Sequence, residues 1–241
     1  MANNVLLNST DHKDLRVHNR YSAELGDNVM CSPTFAREFK TIQSHYPIVF
    51  QKQESDGSFV PVALLGLERD ENLFLTEGVW DAPYIPSMMQ RLPFSIGFYN
   101  DSSSNEKKRV LHIDLDHPKV TSDESGQRLF RDDGGITDYL DRVSSLLEAI
   151  HQSHDDNRAF INKLTELDLL ESVNMDIRLA DGSAGQLMGF YTVNEPKLAK
   201  LTPEQLGELH QRGWLEPIFM AVASLTKLQD LVDRKARHHA Q

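Results

Sequence analysis

Apolar residues gather most densely between Tyr46 and Phe94, where the chain reads YPIVF, a polar turn, PVALLGL, ENLFL, GVW, YIP and RLPF. Ile48 to Phe50 has the form of a buried strand, Glu54 to Ser58 is turn material, and Phe59 to Leu67 reads as the returning strand. A second turn at Arg69 to Asn72 leads to a third short strand over Leu73 to Thr76. Short polar turns between the three predict an antiparallel meander. Pro61 belongs at the start or edge of its strand, because it has no N–H to give to a ladder.

Beyond Gly78 the pattern changes. Trp80, Pro83, Tyr84, Pro86, Pro93 and Phe94 lie close together, and the prolines limit any helix to one turn around Ser87 to Arg91. Ser95 to Tyr99 predicts a strand and Asp101 to Lys108 a polar loop. Val110 to Leu115 alternates, with Leu111, Ile113 and Leu115 on one face and His112, Asp114 and Asp116 on the other. His117 to Gly135 reads as a long polar connection anchored by Leu129-Phe130.

Upstream, Val5 to Leu7 and Leu15 to Val17 read as short strands around a polar turn. Ser32-Pro33 has the form of an N-cap followed by N1, and Phe35, Phe39 and Ile42 follow at helical spacing. These predict an amphipathic helix over 33–44, closed by Tyr46-Pro47. The second half is mostly helical. Ile136, Tyr139, Leu140, Val143, Leu146, Leu147 and Ile150 form one stripe, and Phe160, Ile161, Leu164, Leu167 and Leu170 another. Val173 to Leu179 and Gln186 to Val193 read as strands joined by an Asp181-Gly182 turn. Thr202-Pro203-Glu204-Gln205 is a capping box opening a helix that ends near Gly213. A last helix runs from Leu215 to Val232, and the tail from Arg234 is expected to fray.

The expected class is therefore α+β, with an antiparallel sheet in the N-terminal half and packed helices with a small hairpin in the C-terminal half. It reads as one domain over 1–234, with a sheet lobe at 1–100, a helical lobe at 136–234 and a frayed tail at 235–241. A chain of 241 residues, 39% hydrophobic and 25% charged, has the composition of a packed core rather than of disorder.

Its formal net charge of -11 opposes nonspecific binding to DNA or anionic lipid. The short basic clusters Lys107-Lys108-Arg109 and Arg234-Lys235-Arg237 read as a solvated loop and a tail. Cys31 is the only cysteine, which rules out an internal disulfide framework and cysteine-rich zinc sites. We read it as a small bystander rather than an activated thiol. The N-terminus has no basic segment leading into an apolar run, and no window approaches the length of a membrane span. A cytoplasmic location is expected.

Three groups of residues carry candidate chemistry. His112, Asp114 and Asp116, with His117 beside them, put three potential metal ligands on one strand face. The wet side of a half-buried strand has the same alternation, so neither a metal centre nor a cofactor is expected. Gly134-Gly135 reads as a hinge rather than an anion cradle, and Glu166, Asp168 and Glu171 have no apolar pocket around them in sequence. No nucleophile elbow, HExxH, phosphate loop or dinucleotide fingerprint occurs. Trp80, Tyr84, Arg91 and Phe94 combine the residue types that anchor binding surfaces, and Arg recognises carboxylates with two donors. They are the candidate binding residues. The competing account makes the aromatics core and Arg91 a tie to backbone carbonyls.

YPIVF (46–50), ALLGL (63–67), ENLFL (71–75), W-x3-YIP (80–86) and R-x-PF (91–94) resemble the SapC family of bacterial proteins. So do Asp114 at its strand end, Gly126 with Leu129-Phe130, GFYTVNE-x-KL (189–198) and L-x2-LH-x2-GWL (206–215), so that the likeness spans about residues 30–232. The resemblance implies an association with surface-layer loci. It also implies neighbours such as tryptophan-halogenase-like flavoproteins, cupin-like proteins and TonB-dependent receptors in Gram-negative bacteria. It brings no catalytic residues. The function expected is a non-catalytic binding or accessory protein that recognises a polypeptide or partner enzyme, with such a flavoprotein or cupin-like protein as the candidate partner. The alternatives are a metal-dependent enzyme using His112, Asp114 and Asp116, and a surface-layer component, which the lack of an export signal opposes.

Overall fold

The structure is a computed structural model that describes residues 3–100, 107–178 and 184–239. It opens with β1 (Asn4–Leu6), β2 (Arg16–Val17) and β3 (Cys31–Pro33), followed by a 3-10 turn that runs into α1 (Phe39–Ile42). Next come β4 (Ile48–Lys52), β5 (Phe59–Leu64), β6 (Leu75–Thr76), β7 (Val79–Trp80), α2 (Ser87–Gln90), β8 (Phe94–Asn100) and β9 (Lys107–Asp114). Then follow β10 (Val120–Thr121), β11 (Gln127–Arg128), α3 (Asp138–Glu166), β12 (Leu170–Arg178) and β13 (Ala184–Val193). The chain ends with α4 (Glu195–Leu198), α5 (Pro203–Gln211), α6 (Leu215–Ser224) and α7 (Lys227–His239). Antiparallel sheets and separate helices make this an α+β fold. No helix among the described residues is long and apolar enough to cross a membrane.

Two compact units divide the chain, each assembled from non-adjacent stretches. The first holds Met1–Asn28, Leu75–Trp80 and Ser87–Gln152, and the second holds Val29–Phe74, Asp81–Pro86 and Ser153–Gln241. The units interleave along the chain instead of separating at one boundary near 100–135.

In the first unit, β1, β9 and β8 form a three-stranded sheet in that order, and β10, β2 and β11 form another. Val17, Phe94, Ile113, Leu129, Phe130, Leu140, Val143 and Leu147 pack into its core. The alternation read in 110–115 holds, since Ile113 is buried and Leu111 and Leu115 pack on the same cluster. The anchor Leu129-Phe130 is buried as expected. The short strands expected near 5–7 and 15–17 are present as β1 and β2, which pair with β9 and with β10 and β11 respectively. Two expectations fail here. The segment after His117 is not plain loop, because β10 and β11 both clamp β2. Lys107 and Lys108 belong to β9 rather than to a loop; residues 101–106 lie outside the described residues.

In the second unit the sheet order is β12-β13-β4-β5-β3. The hairpin β12–β13 therefore extends the main sheet rather than packing on it, and β13 pairs β4 at Tyr191–Phe50. The expected meander loses its third strand, because Leu75–Thr76 pairs with Val79–Trp80 in a ladder of its own. Ser32-Pro33 does not open a helix. Cys31–Pro33 pairs with β5, and an edge strand accepts the fixed φ of proline as readily as a first helical turn does. The helical spacing of Phe39 and Ile42 survives only as the short α1, against which α6 packs.

The two stripes expected in 136–170 are one helix of 29 residues, α3, which passes from the first unit to the second, while Leu170 begins β12. Thr202 caps α5 with the full capping box. The single last helix is two, broken after Ser224, and the tail does not fray at Arg234, because α7 continues to His239. Burial works against the Lys235 charge, but hydrogen bonds to Glu71 and Glu68 outweigh it and hold its pKa up. The expected turn at Asp181-Gly182 lies outside the described residues.

Candidate functional site

The four candidate binding residues divide between the units: Trp80, Arg91 and Phe94 belong to the first and Tyr84 to the second. Trp80 is 6% exposed and Phe94 fully buried, so their rings serve as core and offer a partner no contact area. Trp80 meets Tyr21 edge to face at 5.4 Å. Arg91 is half-buried, and its Nη1 donates to the Phe94 carbonyl oxygen at 2.8 Å. Burial lowers its pKa. The Tyr84 hydroxyl donates to Glu38 at 2.6 Å, and the Tyr46 hydroxyl donates to the Tyr84 carbonyl.

His112, Asp114 and Asp116 do not converge on one point. The His112 ring lies over Gly97, where a Cβ would stand 2.4 Å from its Nε2. Asp114 accepts from the backbone N–H of Asn3 at 2.8 Å and of Asp116 at 3.2 Å, which spends the carboxylate on holding β1 to β9. No three His, Cys, Asp or Glu side chains among the described residues gather as a metal-holding group. Cys31 lies in β3, and burial raises its thiol pKa, opposed by a hydrogen bond with Gln51.

A polar centre beside Trp80 was not singled out by any sequence pattern. Lys119 meets Asp27 at 2.9 Å with both side chains withdrawn from water. The ammonium also donates to the Arg20 carbonyl at 2.9 Å and stands 4.1 Å from the centre of the Tyr21 ring. Burial pushes the Asp27 carboxyl above its ordinary range and the Lys119 ammonium below its own, and each charge offsets part of the other's shift. Burial, with Asp27 adding, also raises the Tyr21 phenol well above its usual value. An ammonium engaged in this way has no lone pair to attack with. The centre is a fastening between the loop after Arg20 and the loop before β10.

The second unit holds an open cleft of about 400 Å³, lined by Arg37, Lys40, Asp156, Arg212, Trp214 and Met220 among others. Local sequence places its aromatic wall. Gly213 takes φ of 71°, the Trp214 N–H bonds the Leu209 carbonyl at 2.8 Å, and the Gly213 N–H bonds the His210 carbonyl at 2.9 Å. This is a Schellman close to α5, and it turns Trp214 inward. There Trp214 meets Phe160 at 6.1 Å, and Phe160 meets Phe39 at 6.1 Å. The Arg212 guanidinium lies 4.9 Å over the indole. The indole Nε1 is buried, with no acceptor among the described residues.

Around this wall the charges are loosely matched. Arg37 stands 3.6 Å from Asp156, Lys40 stands 3.0 Å from Glu216, and Arg212 stands 3.8 Å from Glu208. All six side chains are exposed, so each pair is weak and can exchange with charges on a partner. Of these residues only Trp214 drew notice in the sequence, as part of the GWL segment. Arg37 and Lys40 stand three positions apart on one short helical stretch, but Arg212 comes from a distant part of the chain, and no spacing connects it to them.

A family model described as SapC matches residues 7–231. No curated protein and no solved structure matches the chain.

Proposed function

We propose that this chain, which belongs to the SapC family, is a non-catalytic binding or accessory protein that recognises a segment of another polypeptide. The observation that carries the reading is the cleft at Trp214. It combines the exposed Arg37, Lys40 and Arg212, the pliable side chain of Met220 and exposed carboxylates, over a floor in which Trp214 is 5% exposed and belongs to the core. Arg is among the residue types that anchor protein interfaces, and weak rim pairs set register by exchanging partners. The partner we favour is a cytoplasmic client enzyme of the flavoprotein or cupin-like kind implied by the family resemblance.

The test is capture from the native host on immobilised full chain, with partners identified by mass spectrometry. Wild type and an Arg37→Glu/Arg212→Glu variant of matched thermal stability are compared. The expected result is a defined protein retained by wild type and lost by the variant. Equal retention on both removes the cleft from the account.

A further inference from the structure

The Lys119–Asp27 pair stands in a dry aromatic setting. Both side chains are withdrawn from water, the Tyr21 ring lies 4.1 Å from the Lys119 Nζ, and buried Trp80 packs edge to face on Tyr21 at 5.4 Å. All four residues belong to the first unit. The Lys119 Nζ and the Asp27 Oδ2 are 2.9 Å apart. The Ser22 N–H donates to the same Oδ2 at 3.0 Å and fixes the carboxyl group against the nitrogen.

As an ion pair this arrangement is inert, because an ammonium has no lone pair. Burial disfavours both charges, however, and pushes the Asp27 carboxyl and the Lys119 ammonium toward their neutral forms from opposite sides. One proton passed along the bond from Nζ to Oδ2 makes both groups neutral at once. The lone pair it uncovers lies on the side of Nζ that faces the carboxyl group. A second N–H stays on the Arg20 carbonyl at 2.9 Å and holds the nitrogen in place. Reacting groups fixed in contact in this way have much of their entropy cost already met.

We infer that Lys119 and Asp27 condense with each other, so that the first unit carries a self-made isopeptide cross-link between its side chains. The neutral Nζ attacks Cγ, one bond beyond Oδ2, and the C–N bond forms. A second proton passes from the nitrogen to Oδ2, the Cγ–Oδ2 bond breaks, and one water leaves. Oδ1 becomes the amide oxygen, the nitrogen keeps one proton, and no oxidant, reductant or further reactant is consumed. Only the neutral pair reacts, so the ion-paired chain is the starting species and conversion is slow. The product ties positions 92 apart in the chain, a constraint of the kind a disulfide imposes on the unfolded state. Cys31, as the only cysteine, has no internal partner for a disulfide. The inference goes beyond the proposed function and does not depend on the cleft at Trp214, which lies in the other unit.

The test is intact mass spectrometry of full-length wild-type protein, sampled over days at neutral pH. A growing fraction lighter by one water is expected. Asp-Gly steps at Asp56, Asp133 and Asp181 also shed water by cyclising on the backbone, so the place of the loss decides. Tryptic digestion should yield residues 21–37 joined to residues 110–128, with no cut after Lys119. Lys119→Arg and Asp27→Ala should keep their full mass. The wild-type arm stands by itself if either variant fails to fold. The inference is overturned if wild type keeps its full mass throughout, if the lost water maps to an Asp-Gly step, or if either variant loses water as fast as wild type.

Discussion

Lys119 and Asp27, 92 positions apart in the chain, meet at 2.9 Å with side chains 3% and 0% exposed. Removing one partner of such a pair strands a charge without water, whereas removing both removes the charge as well. Lys119→Met alone should cost about 3–5 kcal/mol of stability, and Lys119→Met/Asp27→Leu distinctly less. Chemical denaturation of the three proteins checks this. A double variant no more stable than the single one means that the pair contributes by shape and not by charge.

His117 sits against the same centre, and its Nδ1 accepts the Lys119 N–H at 3.1 Å. Burial lowers its pKa below the ordinary 6.5, with the Lys119 and Arg91 cations adding and Asp114 and Asp27 opposing. The unfolded chain takes up a proton as pH falls through 6.5, while the folded chain resists until lower pH. Stability should therefore fall below pH 6.5 and level off once the folded imidazole is also protonated. His117→Asn should flatten that part of the profile. Thermal melting across mildly acid pH reads it, and identical slopes in the two proteins contradict it.

Gly97 serves as the floor for the His112 ring. A Cβ at Gly97 would stand 2.4 Å from His112 Nε2, inside any real contact, so the ring has to swing away. Gly97→Ala should cost about 1–3 kcal/mol, as overpacking does. Adding His112→Ala to Gly97→Ala should recover part of the loss. Denaturant midpoints of the two variants decide between a clash and a backbone effect.

Trp214 and Arg212 separate fold from recognition. Trp214→Ala should cost about 3–5 kcal/mol, because it empties a core position packed on Phe160. Arg212→Ala should cost only about 0.5–1 kcal/mol, the scale of an exposed cation–aromatic contact. The same Arg212 variant should still weaken capture of the partner. An Arg212 variant as unstable as Trp214→Ala means that the guanidinium is a structural brace.

Local rules reached the elements whose residues explain themselves. The Thr202 capping box, the alternation of Leu111, Ile113 and Leu115, and the Leu129-Phe130 anchor were all legible. Tertiary competition decided the rest. Ser32-Pro33 fits a helix start, but β5 offers a ladder partner, and Ser32 is fully buried in the edge strand that results instead of capping a helix. The two stripes that fuse into α3 leave a polar stretch between them, and hydrophobic periodicity cannot tell such a stretch from a loop. The site was less legible than the fold. Trp80 and Phe94 have the residue types of a binding surface, and residue type says nothing of burial. Lys119 and Asp27 have no periodic neighbours at all, and only the folded chain brings them together.

The interleaving of the two units also has a consequence for synthesis. Asn3 bonds Asp114, 111 positions further on, and this contact lies inside the first unit. At the roughly 5–20 residues per second of a ribosome, β1 waits on the order of ten seconds for β9 to emerge. The first unit cannot close until α3 has begun, by which time most of the second unit's sheet strands are already outside the ribosome. A stop codon in the β8–β9 hairpin would therefore release neither unit whole, and a nascent chain held at that point is where a chaperone has most to shield.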